Sequence, residues 1–412
     1  MRIKNAVTTG ATVRFTVPNS ATTSIPFRVW KFGIAVYALS RILVLLGLGV
    51  VAVARTQEDA RNGLPRLSTL HHIRETLVSW DGSWYLEIAS SGYPSNIPAN
   101  VTYFMLEARA AFFPGFPMVI RMADVVLPWG QPEAALIANI ALGATAVLAV
   151  GALAYRLHGE KVATLSMAIF SMFPGSFALS MAYSESLMIT FSALALLFLV
   201  EERWLLAGLA GAIATMTRPN ALAIGLACLA AAWVHRQRIR AVIGALFSAV
   251  CTGAGFIVSQ LVIAGTAQEL GAWFRVQREA WSEGFSFGAE TVRLIGEWIA
   301  SPLGSPTRAL TVGSTLFIVA GLWALARERL HPIVAAFSIG IISLTLLAST
   351  TTPRPRFALT AVGLFISISI TWINARSLST ERRRSLELAA SGISGALLVT
   401  VTAIYGLLGA IP

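Results

Sequence analysis

The sequence predicts an all-α, multi-pass membrane protein with about eleven spanning helices, each judged against the ~20 residues needed to cross ~30 Å of hydrocarbon. Composition is the first reason. The 412-residue chain is 56% hydrophobic with a mean hydropathy of +0.70, where soluble domains hold roughly 45–50% apolar residues. Only 12% of the chain is charged, against about 25% in an average globular protein. The third observation is negative: Cys228 and Cys251 both fall in apolar runs, which suggests no disulfide framework. The net charge of +11 is spread over short loops and forms no basic domain with interleaved aromatics, which argues against nucleic-acid binding.

Residues 1–29 are polar, rich in Thr, Ser and Ala, and read as a disordered cytoplasmic tail. Residues 30–412 then form a single integral-membrane domain. Its first apolar segment, Trp30–Ala54, is too long and too late for a signal-peptide core, and fits an uncleaved signal anchor. Ten further spans are expected at about 133–155, 162–181, 184–200, 204–217, 219–234, 239–264, 308–326, 332–349, 357–374 and 389–410.

Basic residues in short loops orient the bundle. With the N-terminus in the cytoplasm, the cytoplasmic segments hold roughly 17 basic and 6 acidic residues, and the outer ones roughly 13 and 14. Counting Phe112–Leu127 as a full span would invert everything downstream and erase that asymmetry. Pro114, Pro117, Arg121 and Asp124 also argue against a lipid-exposed span there, so an interfacial or re-entrant element is expected. The sizeable outer loops are then about 55–132 and 265–307. In the second, Leu270, Trp273 and Phe274 share a helical face near Trp281, as in an interfacial amphipathic helix or an aromatic belt anchor.

This topology places Asp81, Glu185, Arg218, Arg354 and Arg356 on the outer side, at or near helix ends, where loops can assemble a pocket. The stretch DGSWYLEIASSG reads as a short helix with Asp81 at its N-cap and Gly92 at its end. Asp81 is either that cap or a general base for an acceptor hydroxyl. Trp80 and Trp84, with Tyr85 on another face, are candidate sugar or acceptor contacts, as are Glu185, Gln277 and Trp281.

The spans on either side of Arg218 cover only roughly 21 and 24 Å, so the arginine lies below the outer surface and needs a partner. A lipid phosphate or an acid such as Glu185 would serve. Pro353 and Pro355 hold their segment extended, which would project Arg354 and Arg356 alike as a two-pronged phosphate contact or an interface anchor. Arg41 sits inside the first span with no assigned role. No HExxH, CxxC pair, P-loop, GxSxG or dinucleotide fingerprint is present. No metal or resident cofactor is expected.

WDGSWYLEIASSGYP followed by AFFPGFP resembles the first-loop signature of the PIG-V family, the GPI mannosyltransferase II type and its bacterial relatives. FPGSFALSMAYSESL, RWLLAGLAGAIATMTRPNALAI and PRPRF follow in the family's order. The resemblance implies a C-fold (GT-C) glycosyltransferase that moves mannose with inversion from polyprenyl-phosphate mannose, a lipid co-substrate. The acceptor would be an extracytoplasmic glycolipid, polysaccharide or protein outside a bacterial plasma membrane, and Asp81 the expected base. Gly82 departs from the family's common alanine, and Gly115-Phe116 from its bulkier pairs. The alternatives are a lipid-linked-sugar flippase without chemistry, or a GT-C enzyme using another polyprenyl-phosphate sugar.

Overall fold

The computed structural model describes residues 24–65, 67–350, 352–375 and 379–409. Most of the expected tail lies outside these residues, and the first helix already begins at Phe27. The helices are α1 (Phe27–Arg61), α2 (Thr69–Val78), α3 (Asp81–Ser91), α4 (Gly115–Val126), α5 (Gln131–His158) and α6 (Glu160–Met172). They continue with α7 (Glu185–Val200), α8 (Trp204–Thr217), α9 (Ala223–Val234), α10 (Ile239–Ala267), α11 (Ala272–Ala280) and α12 (Ala289–Ala300). The last are α13 (Pro306–Arg327), α14 (Pro332–Leu347), α15 (Pro355–Leu359), α16 (Val362–Asn374) and α17 (Thr380–Leu408). Among the described residues there is no strand, only an isolated bridge between Phe285 and Ala348. The protein is an all-α, multi-pass membrane protein.

Five helices, α1, α5, α10, α13 and α17, are long and apolar enough to cross a bilayer. The count of about eleven spans does not emerge in that form, because the other apolar helices are shorter. Three expected spans are broken near one end, among them 219–234, where a 3₁₀ turn at Pro219–Leu222 precedes α9. Residues 162–181 become α6 plus a 3₁₀ turn at Pro174–Leu179, and residues 357–374 become α15 plus α16. Pro174 and Pro219, at the starts of the two 3₁₀ pieces, cannot donate a backbone N–H, so the α ladder does not run through them, whereas α15 and α16 separate at Thr360 and Ala361. The stretch Phe112–Leu127 is a loop helix, α4, and not a full span.

The short helices form the interior. Most of α7 and α16 is buried, whereas α1 and α10 present exposed Leu45, Leu46, Val53, Ile243, Val250 and Leu261. Small residues allow close packing of the bundle. A Cβ on Gly211 of α8 would come within 2.1 Å of Thr252 Oγ1 on α10. The ends of α6, α7, α8, α14 and α16 that meet non-helical breaks lie at the same end of the bundle as the 55–132 and 265–307 segments. Charged side chains occupy these breaks.

The segment between α6 and α7, residues 173–184, carries this arrangement. It is buried yet not α-helical, so its carbonyls need partners from outside the segment. Arg41 of α1 supplies one, donating to Ser176 O at 2.7 Å, and also donates to the hydroxyls Ser180 Oγ at 2.8 Å and Ser176 Oγ at 2.9 Å. Asn139 of α5 donates to Ala178 O at 3.3 Å and to Met181 O. Arg41, which has no role in the sequence reading, is therefore a structural clamp.

Gly175 brings this segment against α15. An added Cβ would lie 2.1 Å from Pro355 O and 2.9 Å from Arg356 N, both backbone atoms that cannot swing aside. Gly175→Ala is expected to cost about 1–3 kcal/mol by overpacking. Gly225→Ala, where an added Cβ meets nothing within 4 Å, serves as the control. Thermal unfolding of both variants in detergent checks this, with a lowered midpoint expected only for Gly175→Ala.

Candidate functional site

The first helical residue of α3 is Asp81, not its cap. The N-cap position belongs to Trp80, whose φ of 56° is unfavourable for any residue with a Cβ. Local bonds hold this turn: Ser83 Oγ donates to Trp80 O at 2.7 Å, and Gly82 N donates to Ser79 O at 3.1 Å. Tyr405 of α17 braces it from below. Its hydroxyl lies 3.1 Å from Ser79 Oγ and 2.9 Å from the Tyr183 hydroxyl. The far end of α3 is capped by Arg121 of α4, which donates to Ala89 O at 2.7 Å and Ile88 O at 2.9 Å.

The Asp81 carboxylate makes no cap bond and turns into the bundle. Arg356 Nη1 donates to Asp81 Oδ2 at 2.6 Å and lies 3.7 Å from Glu185 Oε1. Glu185 in turn accepts from Arg218. The result is an alternating chain, Asp81–Arg356–Glu185–Arg218, joining α3, α15, α7 and the end of α8. Burial is uneven along it. The Glu185 side chain has no exposure and Arg356 has 6%, while Asp81 and Arg218 each keep 16%. The Arg356 guanidinium also lies over the rings of Phe357 and Tyr183, 4.8 and 5.2 Å from their centres.

The three arginines differ in their surroundings. Arg218 is paired with Glu185, which satisfies the need for a partner created by its depth. Arg354 and Arg356 do not project alike. Arg354 is extended, whereas Arg356 lies in the first turn of α15 and points inward. Among the described residues Arg354 lies within ion-pair distance of no carboxylate, and its Nε is buried without a hydrogen-bond partner. Burial, then the adjacent charge of Arg356, lowers its pKa to about 10. That is the direction expected of a cation short of a counter-ion, and it remains charged at neutral pH. For Arg356, burial opposes the charge, but Asp81 and then Glu185 outweigh it and raise the pKa.

The other expected contacts are placed as follows. Tyr85 is buried behind the ion chain, its hydroxyl 2.6 Å from Ser184 Oγ. Trp80 packs partly buried beside α17, its ring near Gly409. Trp84 stacks on Phe112 at 6.2 Å between ring centres and meets Trp281 edge-on at 6.0 Å. Gln277 donates to Ala111 O at 3.0 Å, as does the Trp273 indole. These last contacts lock the two long loops together. Trp273 therefore faces inward, and Leu270 falls outside α11, unlike in the expected single amphipathic face.

Glu283 adds a latch that the sequence reading missed. Its Oε1 accepts from Ser349 N at 3.0 Å and Thr350 N at 3.2 Å, and its Oε2 from Thr350 Oγ1. The second loop is thereby tied to Ser349 and Thr350, just beyond α14. No motif announces Glu283, Tyr405 or Asn139, because each acts through a distant backbone or hydroxyl. Among the described residues, no group of three His, Cys, Asp or Glu side chains is placed to hold a metal ion.

No known protein family and no curated protein matches the chain at significance. Among solved structures, it is similar to the Archaeoglobus fulgidus oligosaccharyltransferase in complex with zinc and sulfate. That match has 11% identity and a TM-score of 0.44 over 81% of this chain and 48% of the other. The apo form of the same enzyme matches with 12% identity and a TM-score of 0.42, over 90% of this chain and 56% of the other. The chain spans about half the length of these structures.

The ion chain makes a stability prediction. Glu185→Gln leaves Arg218 without its carboxylate and Arg356 with Asp81 alone, and breaking a buried pair from one side costs about 3–5 kcal/mol. A large drop in unfolding midpoint is expected. Adding Arg218→Met to the same variant should recover part of it.

Proposed function

We propose that the chain is an inverting GT-C-type glycosyltransferase that moves a sugar from a polyprenyl-phosphate donor to a hydroxyl acceptor. The observation that carries this reading is the juxtaposition of Asp81 with Arg356, next to a half-buried Arg354 that has no ion pair among the described residues. A proton acceptor beside guanidiniums that keep unpaired N–H donors is what transfer from a glycosyl phosphate needs. The acceptor oxygen attacks the anomeric carbon, and its proton passes to Asp81. The bond from that carbon to the phosphate oxygen breaks, and its electron pair leaves with the lipid phosphate. Arg354 and Arg356 meet the charge gathering on the phosphate through directed N–H donors.

Mannose as the sugar, and an outer-face site in a bacterial plasma membrane, follow from the motif resemblance and from the asymmetry of basic loops. The acceptor would be an extracytoplasmic glycolipid, polysaccharide or protein. Arg218 enters this scheme through Glu185, by keeping that carboxylate committed and so fixing Arg356 between two acids. Trp84 and Trp281 offer aromatic faces at the junction of the two loops, where a sugar ring can pack. The reading requires no resident cofactor beyond the lipid co-substrate.

Asp81→Asn keeps the side-chain shape but removes the proton acceptor. Transfer of labelled mannose from polyprenyl-phosphate mannose should fall about 10²–10⁴-fold. Wild-type turnover in that variant would show that Asp81 is not the base. A wild-type protein that moves lipid-linked sugar across vesicles without transferring it would replace the enzyme by a flippase.

A further inference from the structure

We infer that the lipid phosphate of the donor takes Arg356 away from Asp81, so that donor binding is the event that frees the base. This rests on the glycosyltransferase reading and adds a coupling between its two substrates. Arg356 engages Asp81 Oδ2 at 2.6 Å, so it takes up one of the carboxylate's acceptor sites and pairs with the charge that a hydroxyl proton would have to meet. Loss of that contact leaves both Asp81 oxygens and their unpaired charge open to an acceptor hydroxyl.

The surroundings show which group can displace it. Arg354 is the uncommitted cation beside the chain, and the Nε atoms of both Arg354 and Arg356 are buried without partners. A phosphate drawn to Arg354 meets Arg356 two residues along the same backbone. It brings more acceptor oxygens than one carboxylate oxygen, and a guanidinium fork binds phosphate in two-point fashion. The backbone of this segment is held from both sides, by Glu283 on Ser349 and Thr350 and by Gly175 against Pro355. The exchange is thus a movement of one side chain and not of a loop.

The two acids differ in how firmly they are held. Glu185 is fully buried and committed to Arg218, and lies at the longer distance of 3.7 Å from Arg356. Asp81 has 16% exposure and no second cation within ion-pair distance among the described residues. When Arg356 turns to a phosphate, Asp81 is the partner released, toward the side where Trp84 and Trp281 stand. Glu185 stays behind and keeps Arg356 from swinging out completely.

The test uses the full chain in lipid nanodiscs and farnesyl phosphate, which carries a lipid phosphate without a sugar. Asp81→Asn removes the competitor for Arg356 and should bind farnesyl phosphate about tenfold more tightly than wild type, a difference of ~1.4 kcal/mol. Equal or weaker binding overturns the inference. A structure of the wild-type protein with farnesyl phosphate gives a second measurement that needs no variant. Arg356 should contact the phosphate, with the 2.6 Å contact to Asp81 opened. Phosphate held on Arg354 with that contact intact overturns the exchange but leaves the proposed function standing. No binding of farnesyl phosphate at all removes both.

Discussion

A buried stretch of backbone that is not α-helical, residues 173–184, sets the terms for the rest of the molecule. At membrane depth each carbonyl without a partner is costly, so neighbouring elements must supply donors. Arg41 and Asn139 do so from α1 and α5, and α15 closes over Gly175 so tightly that no side chain fits there. The stretch ends at Tyr183, Ser184 and Glu185, and each of these supports the site: Tyr183 under Arg356, Ser184 on Tyr85, and Glu185 between two arginines. The broken helix is the means by which polar groups reach the interior at one chosen place.

The same logic explains why polar groups gather where the short helices α7 and α16 fill the interior. A helix that stops early leaves unpaired groups at its end, and those ends need charged or hydroxyl partners. The ends of α7, α8 and α15 find them in one another through Glu185, Arg218 and Arg356. Buried ion pairs of this kind contribute little net stability compared with apolar packing, but losing one partner is expensive. They therefore act on position more than on stability. The two long loops then cover the site as one unit, since Trp273, Gln277 and Arg275 all bond to first-loop carbonyls.

Much of the architecture was legible in the sequence because membrane helices announce themselves by hydropathy and basic loops. The ends of α8 came out as expected, Trp204 and Thr217, since Glu201 and Arg203 precede it and Arg218-Pro219 follows. Asp81 could be singled out as an acid between tryptophans. Its conformation could not, because the left-handed turn at Trp80 depends on Tyr405, more than three hundred residues away in sequence. The period of extended chain misjudged Arg354 and Arg356, since α15 begins between them and turns the second arginine inward. Glu283 and Asn139 were invisible for a related reason: a side chain that serves a remote backbone leaves no spacing to read.

Counting the charges at the convergent helix ends gives three guanidiniums, Arg218, Arg354 and Arg356, and two carboxylates, Asp81 and Glu185, a net of +1. A glycosyl phosphodiester carries one negative charge and brings that total to zero. Transfer leaves a phosphomonoester, which holds about −1.5 to −2 at neutral pH. In the proposed reaction the acceptor proton resides on Asp81 at that moment, so the site stays close to neutral while the second phosphate charge develops. Once Asp81 passes the proton to water, the same site holds an excess of negative charge and repels the spent lipid. One proton would then time both bond cleavage and product departure.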